Sequence, residues 1–410
     1  MEGETSWVSH CYDHIVKDRI EFDSSSSELD DESSGPIVLV DLILPDDLLE
    51  RILACMPIAS LFRAGCVCKR WHDIVNSKQF LWNFSQVPPK KPWYFMFTNS
   101  DEPIGYVYDS ILKKWYRFEL PCIETSNCVI SSSCGLVCFM DNDSRSQLCV
   151  CNPITKCVKK LEETPALKFS DYSALAISVE RKPRRCTVTY SVTVVKSEQV
   201  PGNFYQWDLS IHIYDSETMT WVTPFTETLQ GWRAGDESVI CNGVLYFLIY
   251  STGDGPPDNR HGLVSYNNLR TRPTRGYLMS SFLPVPCPLT CGRLMNLNER
   301  LIMVGGIGKP DHPDIIKGIG IWGLNGRKEW EEIARMPPRF FHGFGEFDDV
   351  FASSGSDEML YIQSYGAPAL LVFDLSQKQW KWSLKCPVSK RFHLQLFTGF
   401  CFEPRLEVSP

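Results

Sequence analysis

An aromatic residue followed by aspartate, with tryptophan six positions beyond the aspartate, occurs three times: Tyr108-Asp109 with Trp115, Tyr214-Asp215 with Trp221, and Phe373-Asp374 with Trp380. A repeated unit limits the possible folds far more tightly than composition does. Aspartate bonds the backbone N–H groups just beyond it and starts a tight turn. The tryptophan then returns on the next strand, where its large ring packs against a neighbouring unit. Weaker copies fill the gaps. Cys151-Asn152-Pro153, followed by Thr155-Lys156, keeps the turn without the tryptophan; Tyr266-Asn267 is poorer; Ile321-Trp322-Gly323 leads to Trp330. Landmarks at 109, 152, 215, 267, 323 and 374 are separated by 43, 63, 52, 56 and 51 residues.

That ragged period, near 50, is similar to the blade length of kelch-type propellers. A second piece recurs ahead of several landmarks, a turn feeding an apolar strand: Ser133 to Phe139, Cys241 to Tyr246, and Gly355 to Tyr361. Arg300 to Gly306 is similar to the kelch strand that ends in a glycine pair, where the missing Cβ lets adjacent strands crowd near the axis. Trp93–Phe97, Leu148–Cys151, Thr187–Val195, Ile211–Tyr214, Val239–Ile249 and Leu370–Phe373 are rich in β-branched and aromatic residues and bounded by turn formers. No long helical pattern interrupts them, which argues against a parallel βαβ arrangement. Six blades of four strands, or seven, closed on themselves would remove exposed sheet edges. Closure would join a strand near Trp93 to Leu394–Phe402.

Upstream the period is helical. Leu48 and Ile52, with Leu49, Leu53 and Met56, lie on one helix stripe, opened by Pro45-Asp46-Asp47 and stopped by Met56-Pro57. A short segment with Leu61 and Phe62 ends near Gly65. From Cys66 to Asn76 the apolar positions Val67, Trp71, Ile74 and Val75 fall at steps of four, three and one, leaving Lys69, Arg70, His72 and Asp73 for solvent. Ser77 caps a last piece carrying Phe80, Leu81 and Phe84. Some forty residues are too few to bury this much apolar surface alone, which calls for a partner. The run Leu44-Pro45-x-Asp47-Leu48-Leu49, with Val67-Cys68-Lys69-x-Trp71 beyond Met56-Pro57, resembles an F-box.

Residues 1–41 hold eleven acidic against two basic residues, leaving 38 against 39 in the remainder. A near-neutral globular part does not fit nucleic-acid binding. No apolar run reaches membrane-spanning length. Met1-Glu2-Gly3-Glu4 does not open like a secretory leader, and seventeen cysteines, an odd count, do not form a complete disulfide set. Together these predict a reducing setting, nucleus or cytoplasm, with cysteines as small apolar residues. The domain reading is a disordered acidic tail over 1–36, containing the Ser24–Ser27 cluster, then helices over 37–86, a stiff proline linker over 87–92 and the propeller over 93–410.

Gly305-Gly306-Ile307-Gly308-Lys309 fails as a phosphate loop because Pro310 stands where a hydroxyl is required. Cys66-x-Cys68 with His72, and Cys149-x-Cys151, lack the geometry or the second pair that zinc demands. Arg181-Lys182-Pro183-Arg184-Arg185 reads as a solvated turn. Binding is another matter, since interface anchors are enriched in Trp, Tyr and Arg. Phe204, Tyr205 and Trp207, Trp232 with Arg233, and Arg339, Phe340, Phe341 and His342 before Gly343-Phe344-Gly345 combine these types in loop-like settings.

An F-box joined to kelch-like repeats resembles the plant F-box/kelch-repeat proteins over 42–410. The resemblance implies a small all-α F-box followed by an all-β kelch-type β-propeller. It implies a non-catalytic receptor of a Skp–cullin–F-box ubiquitin ligase, with no cofactor, that docks on a Skp-family adaptor (ASK in plants), reaches a cullin through it, and holds a protein target for ubiquitination and proteasomal degradation. Leu44, Pro45, Leu48, Leu49, Ile52, Leu61, Val67 and Trp71 would face the adaptor. The alternatives are a ligase-independent binding propeller whose helices serve another partner, and a galactose-oxidase-type enzyme, which requires copper and a cysteine-linked tyrosine.

Overall fold

The structure, a computed structural model, describes residues 44–88, 90–98, 105–120, 128–141, 148–161, 171–182, 187–253, 260–267, 278–309, 312, 315–342, 344, 351–364, 369–387 and 397–410. The expected tail, its serine cluster and residues 37–43 lie outside them. The chain divides into two compact units, residues 1–90 and 91–410, so the expected linker is split between them.

In the first unit, α1 (Asp46–Cys55), α2 (Ile58–Ala64), α3 (Lys69–Val75) and α4 (Lys78–Gln86) start and stop where their local chemistry dictates. Asp46 and Asp47 occupy the first turn of α1, and Met56, extended before Pro57, ends it. The Ser77 hydroxyl accepts the Phe80 N–H at 3.0 Å and caps α4. Leu53, Ile58, Leu61, Phe62, Val75, Phe80 and Phe84 form the buried centre. Arg70, expected in solvent, is instead half-buried. It donates to the Asp46 carboxylate at 2.8 Å and to the Leu44 carbonyl at 2.6 Å, tying α3 to the head of α1.

The second unit holds six four-stranded antiparallel sheets. The first contains β1 (Trp93–Thr98), β2 (Gly105–Asp109) and β3 (Lys114–Phe118); the second β4 (Cys128–Ser133), β5 (Leu136–Asp141), β6 (Leu148–Cys151) and β7 (Val158–Leu161). The third holds β8 (Tyr172–Lys182), β9 (Thr187–Gln199), β10 (Gln206–Asp215) and β11 (Thr220–Gln230). The fourth holds β12 (Trp232–Cys241), β13 (Val244–Ser251), β14 (His261–Tyr266) and β15 (Leu283–Pro284). The fifth holds β16 (Leu289–Leu297), β17 (Arg300–Gly308), β18 (Ile316–Leu324) and β19 (Trp330–Arg335). The sixth holds β20 (Phe351–Ser356), β21 (Met359–Ser364), β22 (Leu370–Asp374) and β23 (Gln379–Trp382). The last strand, β24 (Phe397–Phe402), pairs with β1 from Trp93↔Phe402 to Thr98↔Phe397 and completes the first sheet. The strands β24, β4, β8, β12, β16 and β20 neighbour one another in a closed cycle, so the sheets are the blades of a six-bladed propeller. The hydrophobic core is distributed as clusters between successive blades.

The repeated aspartates make the expected turns. Asp109 accepts from Ile111 and Leu112, Asn152 from Ile154 and Thr155, Asp215 from Glu217, and Asp374 from Gln377. Each following tryptophan sits directly across from the aromatic before the aspartate, with ring centres 5.1, 5.3 and 4.5 Å apart at Tyr108–Trp115, Tyr214–Trp221 and Phe373–Trp380. The stack therefore lies within one blade. The same rings also pack on the clusters between blades, and the indole N–H reaches the neighbour at Trp115, donating to the Leu384 carbonyl, and at Trp330, donating to the Pro284 carbonyl. Three sequence readings shift. The fifth-blade turn is made by Asn325, which accepts from Arg327 and Glu329, rather than by Gly323. Val239–Ile249 is two strands, because Asn242 and Gly243 both take positive φ (51° and 73°) and form a hairpin turn. The Gly305-Gly306 pair makes room for side chains of the flanking strands rather than for backbone at the axis. A Cβ would meet Leu289 at 2.8 Å from Gly305 and Thr290 at 2.6 Å from Gly306.

Candidate functional site

Two surfaces qualify, one in each unit. On the helical unit, the apolar stripe of α1 is wider than the core that receives it. Leu49 (2 % exposed) points into that core, whereas Leu48 (44 %) and Ile52 (50 %), one position before and three after it, remain outside. Val67, in the connection before α3, is 62 % exposed. The eight residues expected on the adaptor surface therefore separate. Pro45, Leu48, Ile52 and Val67 are exposed, Leu44 and Trp71 are half-buried, and Leu49 and Leu61 are inside the unit. Leu49 and Leu61, expected on the adaptor surface, are instead buried in the core of the unit, 2 % and 1 % exposed. Trp82, exposed on α4, was missed. Its signal was present, since Phe80 and Phe84 bury at i and i+4 and leave position 82 on the opposite side.

On the propeller, antiparallel strands in sequence order sort the loops onto two faces. Turns from first to second and from third to fourth strand emerge on one face, together with Trp93 where the chain joins the ring. Turns from second to third strand, and crossings between blades, emerge on the other.

On the first of these faces, hydrogen bonds and ion pairs tie the turns of three successive blade junctions together. The Asn242 N–H donates to Glu299 at 2.6 Å, Asn298 to Asp357 at 3.3 Å, and the Ser356 hydroxyl to Glu403 at 3.0 Å. Lys91 pairs with Asp357 at 2.5 Å and Arg405 with Glu403 at 2.8 Å. Burial works to raise the Asp357 carboxyl, but the hydrogen bonds from Lys91 and Asn298 outweigh it and hold it below the usual range. Between Ser133, Glu180, Asn242, Asn296 and Glu299 a cavity of about 490 Å³ is left.

The crossing face carries all the expected target-binding residues. Phe204 (76 % exposed) and Tyr205 (59 %) form the tip of the β9–β10 turn, while Trp207 is buried against Tyr172, ring centres 5.8 Å apart. Trp232 is half-buried on Phe282 at 5.3 Å. Arg233 lies over Tyr172, its guanidinium carbon 3.6 Å from the ring centre, with Tyr250 at 5.0 Å. The Tyr250 hydroxyl is pushed far up by burial, and His261, edge-on to Tyr250 at 4.8 Å, is lowered to about 4 by burial and by Arg260 and Arg233. Arg339–His342 sits elsewhere on the same face, where a single helical turn, Pro338–Phe341, leads from β19 toward β20. Phe340 and Phe341 pack on the interface of the last two blades, and Arg339 and His342 stay exposed. Gly343 and Gly345 lie outside the described residues. The structure thus unites the 204–207 and 232–233 groups and leaves 339–342 apart. Tyr172, Tyr250 and His261 carried no local signal; only strand register places Arg233 opposite Tyr250 and Tyr250 opposite His261.

Among the described residues no group of three His, Cys, Asp or Glu could hold a metal ion. No helix of the described residues is long and apolar enough to cross a membrane.

Comparison with known proteins agrees with both units. Residues 42–83 match the F-box domain model, and residues 106–270 match the β-propeller of F-box protein At3g26010-like. The F-box/kelch-repeat protein At3g61590 of Arabidopsis thaliana is 61% identical over 416 residues, covering 100% of both chains. UNUSUAL FLORAL ORGANS of the same plant is 25% identical, over 84% of this chain and 79% of its own. SKP1-interacting partner 15, also from Arabidopsis thaliana, is 23% identical over 90% and 98%. The chain belongs to the plant F-box/kelch-repeat proteins.

Proposed function

We propose that the chain is the substrate receptor of a Skp–cullin–F-box ubiquitin ligase, in which the helical unit docks on a Skp-family adaptor and the propeller holds a protein destined for degradation. The observation that carries this is the exposed set Leu48, Ile52 and Val67 on a helical unit that matches the F-box, in a chain whose other unit is a closed binding scaffold. Each such side chain, already about half covered, stabilises a complex by about 1 kcal/mol when the rest of it is buried. The name of SKP1-interacting partner 15, a relative along nearly its whole length, supports the adaptor. The cullin is reached through that adaptor, catalysis belongs to other subunits, and the site of action is nucleus or cytoplasm. Within the family, Pro121–Ser126 and Thr398–Arg405 suggest kinship with HAWAIIAN SKIRT; residues 121–126 lie outside the described set.

Co-purification of the full chain with a Skp-family adaptor tests the reading. Leu48→Ala with Ile52→Ala should abolish it without unfolding the chain. Retention by the folded double variant would favour the ligase-independent reading, as would target levels that ignore proteasome inhibition.

A further inference from the structure

The Phe204–Tyr205 turn and the head of β12 meet at one spot on the crossing face. The Gly231 N–H donates to the Tyr205 carbonyl at 2.7 Å, and the Gly231 carbonyl accepts the Thr252 N–H at 2.9 Å, so the turn is pinned two residues from Arg233. The Arg233 guanidinium is held by Tyr172 of one blade and Tyr250 of the next. One of its N–H groups reaches the Ala234 carbonyl at 3.2 Å, and it forms no ion pair among the described residues. Three acidic groups on the surrounding strands are engaged elsewhere. Glu237 faces Arg293 at 3.4 Å and accepts the Leu294 N–H, Glu198 pairs with Lys196 at 2.8 Å, and Asp171 accepts the Gln199 N–H at 2.7 Å. Asp236, in the bulge of β12, is exposed and forms no pair with Arg233.

A guanidinium fixed by aromatic stacking has already lost its side-chain freedom, and its remaining N–H fork matches a carboxylate with two parallel bonds. Phosphate recognition ordinarily gathers several arginines, and here, among the described residues, Arg233 alone is presented without an ion pair. Beside it, Phe204 and Tyr205 offer exposed apolar area, 76 % and 59 % of their surfaces. We propose that this spot docks an extended acidic peptide segment, an Asp or Glu carboxylate on Arg233 and a neighbouring apolar side chain on Phe204–Tyr205. The receptor reading supplies the owner of that segment, a target protein; the chemistry of the spot stands apart from it.

The test uses the full chain and a displayed library of random linear peptides. Enriched peptides, labelled with a fluorophore, are titrated by anisotropy against the wild type and variants. An acidic residue close to an apolar one should be enriched. Arg233→Ala should weaken binding ~10- to 100-fold, and Arg233→Lys, which keeps the charge without the fork, should restore only part. Phe204→Ser with Tyr205→Ser, in an exposed turn that cannot disturb the core, should weaken binding ~10-fold, and Arg327→Ala, exposed on the other face, should leave it unchanged. Enrichment of peptides without acids, equal binding by Arg233→Ala, binding that requires phosphoserine in place of Asp or Glu, or no binders at all would overturn the proposal. Adaptor co-purification is measured on the same preparations. Peptide binding without adaptor removes the receptor reading and leaves the site, and the converse removes the site alone.

Discussion

Leu48 and Leu49 are neighbours in the chain, and the same truncation to alanine separates their roles. Leu49→Ala empties part of the helical core and should cost about 2–5 kcal/mol of stability. Leu48→Ala removes surface that water already reaches and should change stability by under about 0.5 kcal/mol while weakening adaptor capture. Thermal unfolding and pull-down on both variants would show the exchange. Two buried histidines set the acid limit. His212, held by Ser210 and Thr223 at 2.9 Å each, and His261 are both lowered to about 4, His212 by burial and Lys196, His261 by burial and its arginines. In the unfolded chain both take a proton near 6.5, so between about 6.5 and 4 the unfolded state binds more protons. Stability is therefore full above that window and falls as pH drops through it, by up to on the order of 3 kcal/mol for each histidine. Denaturant midpoints at pH 7 and 5 should converge for His212→Gln with His261→Gln and diverge for the wild type.

The unit of the ring is the turn-and-indole hairpin, and its two bonds can be removed separately. Trp115→Phe keeps the stack on Tyr108 but loses the bond to Leu384, a cost of about 1 kcal/mol. Asp109→Ala unmakes the turn itself and leaves the Ile111 and Leu112 N–H groups to water; urea unfolding of the two single variants would rank them. These hairpins were legible because the aspartate, its aromatic and its tryptophan act through short-range spacing. Where the same bond is made by Asn325, two residues beyond the visible Trp322-Gly323 pair, the spacing breaks and the landmark slips. The helical stripe was legible for the same reason, but which half of it faces inward is decided by α2 and α4, and that is not written in α1. The Arg233 spot lies further from view. Tyr172 reaches it from another blade, a contact that neither local propensity nor spacing encodes.

At the scale of the whole ring, stability is shared among inter-blade clusters, and one strand makes the circle complete. Gly399 in β24 faces that closure directly. A Cβ there would stand 2.1 Å from the Phe95 carbonyl oxygen and 2.6 Å from the Tyr94 ring. Gly399→Ala should therefore destabilise more than Gly243→Ala, whose Cβ meets nothing within 4 Å and whose cost is that of its positive φ alone. Deleting residues 397–410 should convert a single cooperative melt into early aggregation, seen by light scattering. The same pairing sets an order on synthesis. β1, with the sequence Trp-Tyr-Phe-Met-Phe-Thr, leaves the ribosome before every other strand of the ring, and its partner leaves last. At ordinary elongation rates the interval is on the order of half a minute. For that time an aromatic strand waits with one edge unmatched, which makes the nascent chain a substrate for chaperones before the finished one can select substrates of its own.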